Sequence, residues 1–284
     1  MTQILKGRPA RDRLLSQLEK ECAALLKDQV KPCLGVFRIG EKADDLSYER
    51  GIVKTMSRIG MAVETVSLPA DVSKKEAAAV FRRLCEKEET DGILPLMPLP
   101  ERFRGLISLI PPEKDVDGLR GEESAFPPCT PHGVMEFLDY YEIGVKDKNV
   151  AVLGRSPLVG KPLAALLEGR GAIVSVVHSR TEHPSEVIRR AEIVFSAVGK
   201  ARFLDENRLG PHQTVLDIGV NEDPLNEGRI CGDLNEKAAQ RLDLRYSPVP
   251  GGVGEMTTAV LAEHTLRSCI RRRCAHGEVS LETK

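Results

Sequence analysis

The chain has 284 residues, enough for one large core or two modest ones, and at roughly 150 residues per domain two are expected. Its 41 basic and 42 acidic side chains leave a formal charge of -1, which gives no field for gripping a polyanion and excludes nucleic acid as a partner. Apolar residues at 41% and charged residues at 29% are ordinary globular usage and exclude disordered or fibrous chain.

The N-terminal part alternates helix-like and strand-like segments. Leu14, Leu15, Leu18, Cys22, Leu25 and Leu26 recur at three- and four-residue spacing and predict a helix over 9–27. The apolar run from Cys33 to Ile39, stopped by Gly40, predicts a buried strand. A helix over 45–59 ends at Gly60, and a strand over 61–68, a helix over 74–87 and a strand over 91–95 follow. This rhythm implies a parallel sheet faced by helices. Prolines crowd the stretch from Pro95 to Pro131 and mark a rigid, loop-rich seam. Thr130 followed by Pro131 opens a further helix.

A second alternation begins near Asn149. It predicts strands at 150–153, 173–177, 193–197 and 214–218, with a helix running from near Leu158 to Gly169 and another over 185–191. This is the pattern of a nucleotide-binding α/β domain. A last apolar helix is expected over 257–270, and Arg271, Arg272, Arg273 and the polar tail to Lys284 are read as solvated.

The first strand of the second half feeds its helix through Gly154-Arg155-Ser156-Pro157-Leu158-Val159-Gly160. Such a turn aims unpaired N–H groups and the positive end of a helix dipole at one spot, which suits a diphosphate, although an ordinary tight turn has the same outline. The next strand ends in His178-Ser179-Arg180, with no carboxylate for ribose hydroxyls. Arg155, Ser179 and Arg180 instead suit a 2′-phosphate, so NADP is expected rather than NAD.

Seven cysteines without a Cys-x-x-Cys pair are expected as reduced, mostly buried thiols. The histidine spacing predicts no metal site. No leader-like start and no apolar run of ~18 residues predict a cytoplasmic protein without membrane contact.

These segments together resemble the methylenetetrahydrofolate dehydrogenase/cyclohydrolase (FolD) family. The carriers are Asp91-Gly92-Ile93-Leu94 with Pro98-Leu99-Pro100, Lys114-Asp115-Val116-Asp117-Gly118, Pro128-Cys129-Thr130-Pro131-His132-Gly133, the Gly154 to Pro162 turn, Asp217-Ile218-Gly219-Val220-Asn221, Gly232-Asp233, and Pro248 to Gly254 before Met256-Thr257. The resemblance implies an α/β protein of two domains around a cleft. Residues 1–125, completed by 257–284, would form an N-terminal α/β folate domain, and 126–256 a Rossmann-like NADP-binding domain. It implies that Tyr48 packs beside the pterin, that Asp117 accepts from its amino-pyrimidine edge, and that Pro250, Gly251 and Gly252 shape the folate pocket. On these terms Tyr48 and Asp117 are also the candidate catalytic residues. Gly154, Arg155 and Ser156 would meet the diphosphate and ribose phosphate, Ser179 and Arg180 the 2′-phosphate, Ala197, Val198 and Gly199 the adenosine or ribose, and Val220 with Thr257 the nicotinamide, unless Thr257 only caps the last helix. A homodimer acting on tetrahydrofolate derivatives is implied as well.

Three positions depart from the family pattern. The family's Tyr-x-x-x-Lys has Tyr48 here, but Ile52 stands where the lysine belongs. Lys54 is no substitute: four residues along a helix turn a side chain by about 40°, six by about 240°. Leu96 replaces a glutamine that ordinarily bonds that lysine, and Glu255 replaces a proline. The expectation is a dehydrogenase whose cyclohydrolase activity is weak or absent. Retention of both activities, and a non-catalytic folate- or nucleotide-binding relative, stay open as alternatives.

Overall fold

The computed structural model describes residues 1–275, which divide into two units. In chain order come β1 (Gln3–Ile4), α1 (Gly7–Lys27), β2 (Cys33–Ile39), α2 (Ala43–Arg58), β3 (Ala62–Leu68), α3 (Lys74–Glu86), β4 (Gly92–Pro95) and α4 (Cys129–Tyr140). They are followed by β5 (Asn149–Leu153), α5 (Gly160–Gly169), β6 (Ile173–Val177), α6 (Pro184–Arg190), β7 (Ile193–Ser196) and β8 (Thr214–Asp217). Last come β9 (Asn221–Glu222), β10 (Ile230–Cys231), α7 (Glu236–Arg241), β11 (Arg245–Ser247) and α8 (Thr257–Ala275).

The first unit comprises Arg13–Cys129 and the chain from Thr258. Its sheet has the order β3-β2-β4, all parallel, with Leu34 opposite both Val63 and Gly92. β2 and β4 are buried almost throughout, as expected of a strand covered on both faces. Phe37 and Phe81 meet at 4.7 Å between ring centroids in a cluster with Leu84, Ile93 and Phe103. Ser73 caps α3 by accepting from the Glu76 N–H at 3.2 Å. α8 belongs to this core: Ser268 Oγ donates to the carbonyls of Asp91 (2.6 Å) and Glu113 (2.7 Å), and Arg267 pairs with Glu21 of α1. Arg272 also departs from its expected solvation. It donates to the carbonyls of Thr90 and Glu88 and pairs with buried Asp91 at 3.0 Å. The remainder of the predicted polar tail, beyond residue 275, lies outside the described residues.

The second unit comprises Met1–Asp12 and Thr130–Thr257. Its six parallel strands run β1-β11-β8-β7-β5-β6 around a core that includes Leu153, Val194, Val215, Leu244 and Tyr246. The first twelve residues therefore differ from the expected 1–125 grouping. Gln3 pairs with Arg245 and Ile4 with Tyr246, which makes β1 an edge strand of this sheet. The chain departs from β5 to β6 on one side and from β6 to β7 on the other, so the strand order reverses between β5 and β7. Open parallel sheets hold nucleotides outside the carboxyl ends of the strands at such a reversal.

Candidate functional site

In the first unit, α2 carries Tyr48. Arg38, at the end of β2 and 7% exposed, pairs with Glu49 of α2 at 2.8 Å and donates to the Gly40 carbonyl, fastening the helix beside the strand. Tyr48 leaves 40% of its surface open, while its hydroxyl end is turned toward Thr258, Asp117 and Cys129. Burial and the Asp117 charge raise that phenol above its ordinary value. One turn on, Ile52 is completely buried; Leu96, at the end of β4, is 5% exposed, and Lys54 is exposed.

Asp117 accepts the Cys129 N–H at 3.3 Å, and burial pushes its carboxyl up to about 6. Its turn is tied down on both sides. Asp115 accepts the N–H groups of Leu119 (3.0 Å) and Arg120 (2.8 Å). Lys114, 4% exposed, sends Nζ to the carbonyls of Cys85 (2.8 Å) and Lys87 (2.7 Å), where α3 ends, and its burial lowers the ammonium to about 8. The run from Lys114 to Gly118 is thus a clamp that ends in one partly open carboxylate.

In the second unit, the turn after β5 lies at the strand-order reversal. Gly154 has φ +107°, and a Cβ there would meet the Ala197 carbonyl oxygen at 2.7 Å; one on Gly160 would meet the Gly154 oxygen at 2.2 Å. Only glycine lets these backbones approach, which is what a diphosphate cradle at a helix start requires. α5 begins at Gly160, later than the expected opening near Leu158, because residues 157–159 form a turn and Ser156 Oγ accepts the Gly160 N–H at 3.3 Å. Arg155 and Ser156 are exposed in this turn, and Ser179 and Arg180 are exposed after β6.

Asp233 organises the loop after β7. Fully buried, it accepts from Ser196 Oγ (2.8 Å), from the N–H groups of Val198 (2.9 Å) and Lys200 (2.8 Å), and from Asn221 Nδ2 (3.0 Å). It thereby fixes the backbone of the Ala197-Val198-Gly199 loop, of which Ala197 lies against Gly154. Asp217 accepts the N–H groups of Gly219 (2.9 Å) and Leu234 (2.7 Å), and burial raises it to about 7. The sequence reading gave neither aspartate a role; the only available signal was their place in the Asp217 and Gly232-Asp233 blocks.

Val220 is 65% exposed. Pro250 follows a cis peptide, and the Gly251 carbonyl accepts the Gly7 N–H at 2.8 Å. Gly252 is buried, and Glu255 pairs with Arg11 of α1. Thr257 is the first residue of α8 with helical angles, so it is not the residue that caps the helix. Tyr48 and Asp117 are brought together in the first unit. Gly154, Arg155 and Ser156 lie with Ala197 at the switch point of the second unit, and Ser179, Arg180, Val220 and the Pro250–Gly252 loop are elsewhere in that same unit, not in the unit of Tyr48 and Asp117.

Comparison with known proteins gives a match over both halves. Residues 5–117 match the family description "Tetrahydrofolate dehydrogenase/cyclohydrolase, catalytic domain", and residues 128–273 match its "NAD(P)-binding domain". The chain is 41% identical over 280 residues to the bifunctional protein FolD of Carboxydothermus hydrogenoformans, covering 95% of this chain and 98% of that one. Among solved structures, the bifunctional FolD methylenetetrahydrofolate dehydrogenase/cyclohydrolase of Campylobacter jejuni has a TM-score of 0.89 at 31% identity, covering 96% of this chain and all of that one (100%). The Trypanosoma brucei FolD, solved with NADP cofactor and an inhibitor, has a TM-score of 0.86 at 31% identity, covering 95% and 98%.

Proposed function

Because the chain belongs to the tetrahydrofolate dehydrogenase/cyclohydrolase family, we propose that it is an NADP-dependent 5,10-methylenetetrahydrofolate dehydrogenase whose hydrolysis of the methenyl product is weak or absent. Three features support the dehydrogenase half: the glycine cradle at the switch point, the Asp233-braced loop beside it, and the pairing of Tyr48 with Asp117. With its carboxyl at about 6, Asp117 is ionised at neutral pH and suited to accept from two adjacent N–H donors of a pterin edge. The open ring of Tyr48 offers a flat apolar surface for packing.

Bound NADP supplies the hydride acceptor. The methylene carbon gives up a hydride as the lone pair of its neighbouring nitrogen moves in to form the methenyl cation, a step that asks the chain chiefly for positioning. Arg155, Ser179 and Arg180, with no carboxylate among them, support a 2′-phosphate over a free ribose hydroxyl. Hydrolysis asks for more, because water must be deprotonated and a nitrogen protonated; a positioned acid or base typically supplies 10²–10⁴-fold. The observation that carries the proposed loss is Ile52, wholly buried one helical turn after Tyr48, with Leu96 also buried where the family pattern has the amide. Neither side chain moves a proton.

A paired assay on one preparation tests the reading, following NADPH appearance with methylenetetrahydrofolate and disappearance of added methenyltetrahydrofolate, with NAD as control. Rapid reduction of NADP, slow reduction of NAD and methenyl loss near the uncatalysed rate are expected. Methenyl hydrolysis as fast as hydride transfer would favour the second reading, retention of both activities, which the name of the Carboxydothermus relative supports.

A cytoplasmic homodimer completes the proposal. The free cysteines among the described residues fit a reducing compartment, and no described helix is long and apolar enough to cross a membrane. Edge strand β6 leaves Ile173 57% and Val176 37% exposed, an apolar edge of the kind that self-association covers. Light scattering on the eluting protein tests the dimer.

A further inference from the structure

The carboxylate of Asp117 is held from outside its own turn. The Cys129 thiol lies within hydrogen-bonding reach of both that carboxylate and the Val116 carbonyl, the latter at 3.2 Å. Burial and the neighbouring Asp117 charge keep the thiol protonated, so it acts as a donor. His264 of α8, 1% exposed, brings Nδ1 to 2.8 Å from the same carbonyl and 3.7 Å from the thiol sulfur. A carbonyl only accepts, and two acceptors do not stand 2.8 Å apart, so Nδ1 carries a hydrogen and donates it to Val116. The imidazole is kept in this orientation by stacking on Phe126, 4.8 Å between centroids at 28°, with the Arg271 guanidinium 4.9 Å from the Phe126 ring.

We propose that His264 and Cys129 are positioning residues for Asp117: His264 occupies the Val116 carbonyl and thereby turns the single thiol proton of Cys129 onto the Asp117 carboxylate. An anionic oxygen is the stronger acceptor, and filling one lone pair of the carbonyl removes its competition. This rests on the reading of Asp117 as the acceptor for the pterin edge. The ionisable groups around it are Asp115 on its own segment, Tyr48 from α2, Cys129 from the start of α4, and Glu263 with His264 from α8. Burial drives the carboxyl upward, and the thiol and N–H of Cys129 hold it down. Donors to the ionised form lower a carboxyl, so losing one raises it and narrows the range in which Asp117 is charged.

The test is the pH profile of kcat/KM for methylenetetrahydrofolate at saturating NADP, measured with Cys129→Ala, Cys129→Ser, His264→Phe and His264→Asn. The parent's acid limb is expected near pH 6. Cys129→Ala moves it upward by about half to one pH unit, roughly 3- to 10-fold in kcat/KM on the limb, the size expected for one hydrogen bond from a weak thiol donor. His264→Phe keeps the stacking and loses the donor, so the limb moves the same way by less. Cys129→Ser and His264→Asn, which keep donors, return it toward the parent. His264→Leu replaces the phenylalanine variant if that one does not fold, with thermal melting reporting folding in every case. Acid limbs of Cys129→Ala and His264→Phe that coincide with the parent's, while Asp117→Asn erases the limb, overturn the proposal and leave the reading of Asp117 intact. An Asp117→Asn protein that keeps both the limb and the folate KM overturns that reading and the proposal with it.

Discussion

Exchanging Ile52 for lysine together with Leu96 for glutamine restores the polar pair that the proposed function says is missing. Ile52 is fully buried, so the single change Ile52→Lys loses about 1.5–3 kcal/mol of apolar burial, less whatever the lysine stem still covers. The buried ammonium has its pKa pulled down by up to about 3–5 units, from the ordinary lysine range toward neutrality, where an acid/base group works best. Leu96→Gln alone buries an amide in an apolar position and costs about 1–3 kcal/mol for an unsatisfied buried group. In the double variant the amide is expected to bond the ammonium as the family pattern pairs them, so the two costs are less than additive, by about 0.5–3 kcal/mol. Urea unfolding of the parent, the two singles and the double measures that coupling.

The activity readout is disappearance of methenyltetrahydrofolate, corrected for the reaction in buffer. The double variant is expected to gain about 10²–10⁴-fold in hydrolysis, the usual contribution of a placed acid or base, with hydride transfer changed only a few-fold. A parent that already hydrolyses the methenyl compound as fast as it forms, with no gain in the folded double variant, would refute the reasoning. Proton movement would then run through groups other than the family lysine.

Asp117→Asn is expected to lower folate turnover sharply, leaving a residual rate without the acid limb, while stabilising the fold. The folded carboxyl titrates at about 6 against 3.8 for the free group, so its ionisation opposes folding above pH 6 by on the order of 1–3 kcal/mol and not at all below about pH 3.8. Melting temperatures should show the gain at pH 8 and lose it at pH 4. Lys114 has the opposite dependence: its folded pKa of about 8 lies below 10.5, its charging cost is full below pH 8, and its contribution to stability rises with pH between the two values. Denaturant unfolding of Lys114→Met should lack that rise. Arg11→Glu or Glu255→Arg alone is expected to raise the folate KM about 3- to 10-fold with the NADP KM little changed, since that ion pair braces the chain beside the Pro250–Gly252 loop; the double swap should recover most of it. Arg180→Ala should raise the KM for NADP at least about tenfold and leave that for NAD unchanged, as expected for a charge-assisted contact to the 2′-phosphate alone.

What the sequence disclosed follows from the length of the signal. Strands of four residues or more, such as β2, β5 and β8, were legible because a short apolar run stopped by glycine or polar residues suits a buried strand and is too brief for a helix. β1 and β9–β11, each of two or three residues, carry no period, and β1 exists only because Gln3 and Ile4 meet Arg245 and Tyr246. The glycine turn after β5 was readable from its order along the chain. The parts played by Asp233, His264 and Arg272 were not, because each acts on backbone groups brought near only by folding. A buried charge or imidazole looks the same in sequence as an exposed one.

The two reactions of the family are written into this chain in different ways. The dinucleotide side rests on backbone: two glycines that let β5, β7 and α5 approach, and a buried aspartate that ties three donors of one loop. Replacing any of these disturbs the packing of the unit as well as the turn it shapes. The proposed loss of hydrolysis rests on two side chains, at positions 52 and 96, on a helix face and just past a strand end. Isoleucine and leucine at those places are buried residues that strengthen the first unit's core. On the proposed reading, two substitutions then remove an acid/base function without an energetic penalty to the fold, and leave in place a hydride transfer that asks chiefly for positioning.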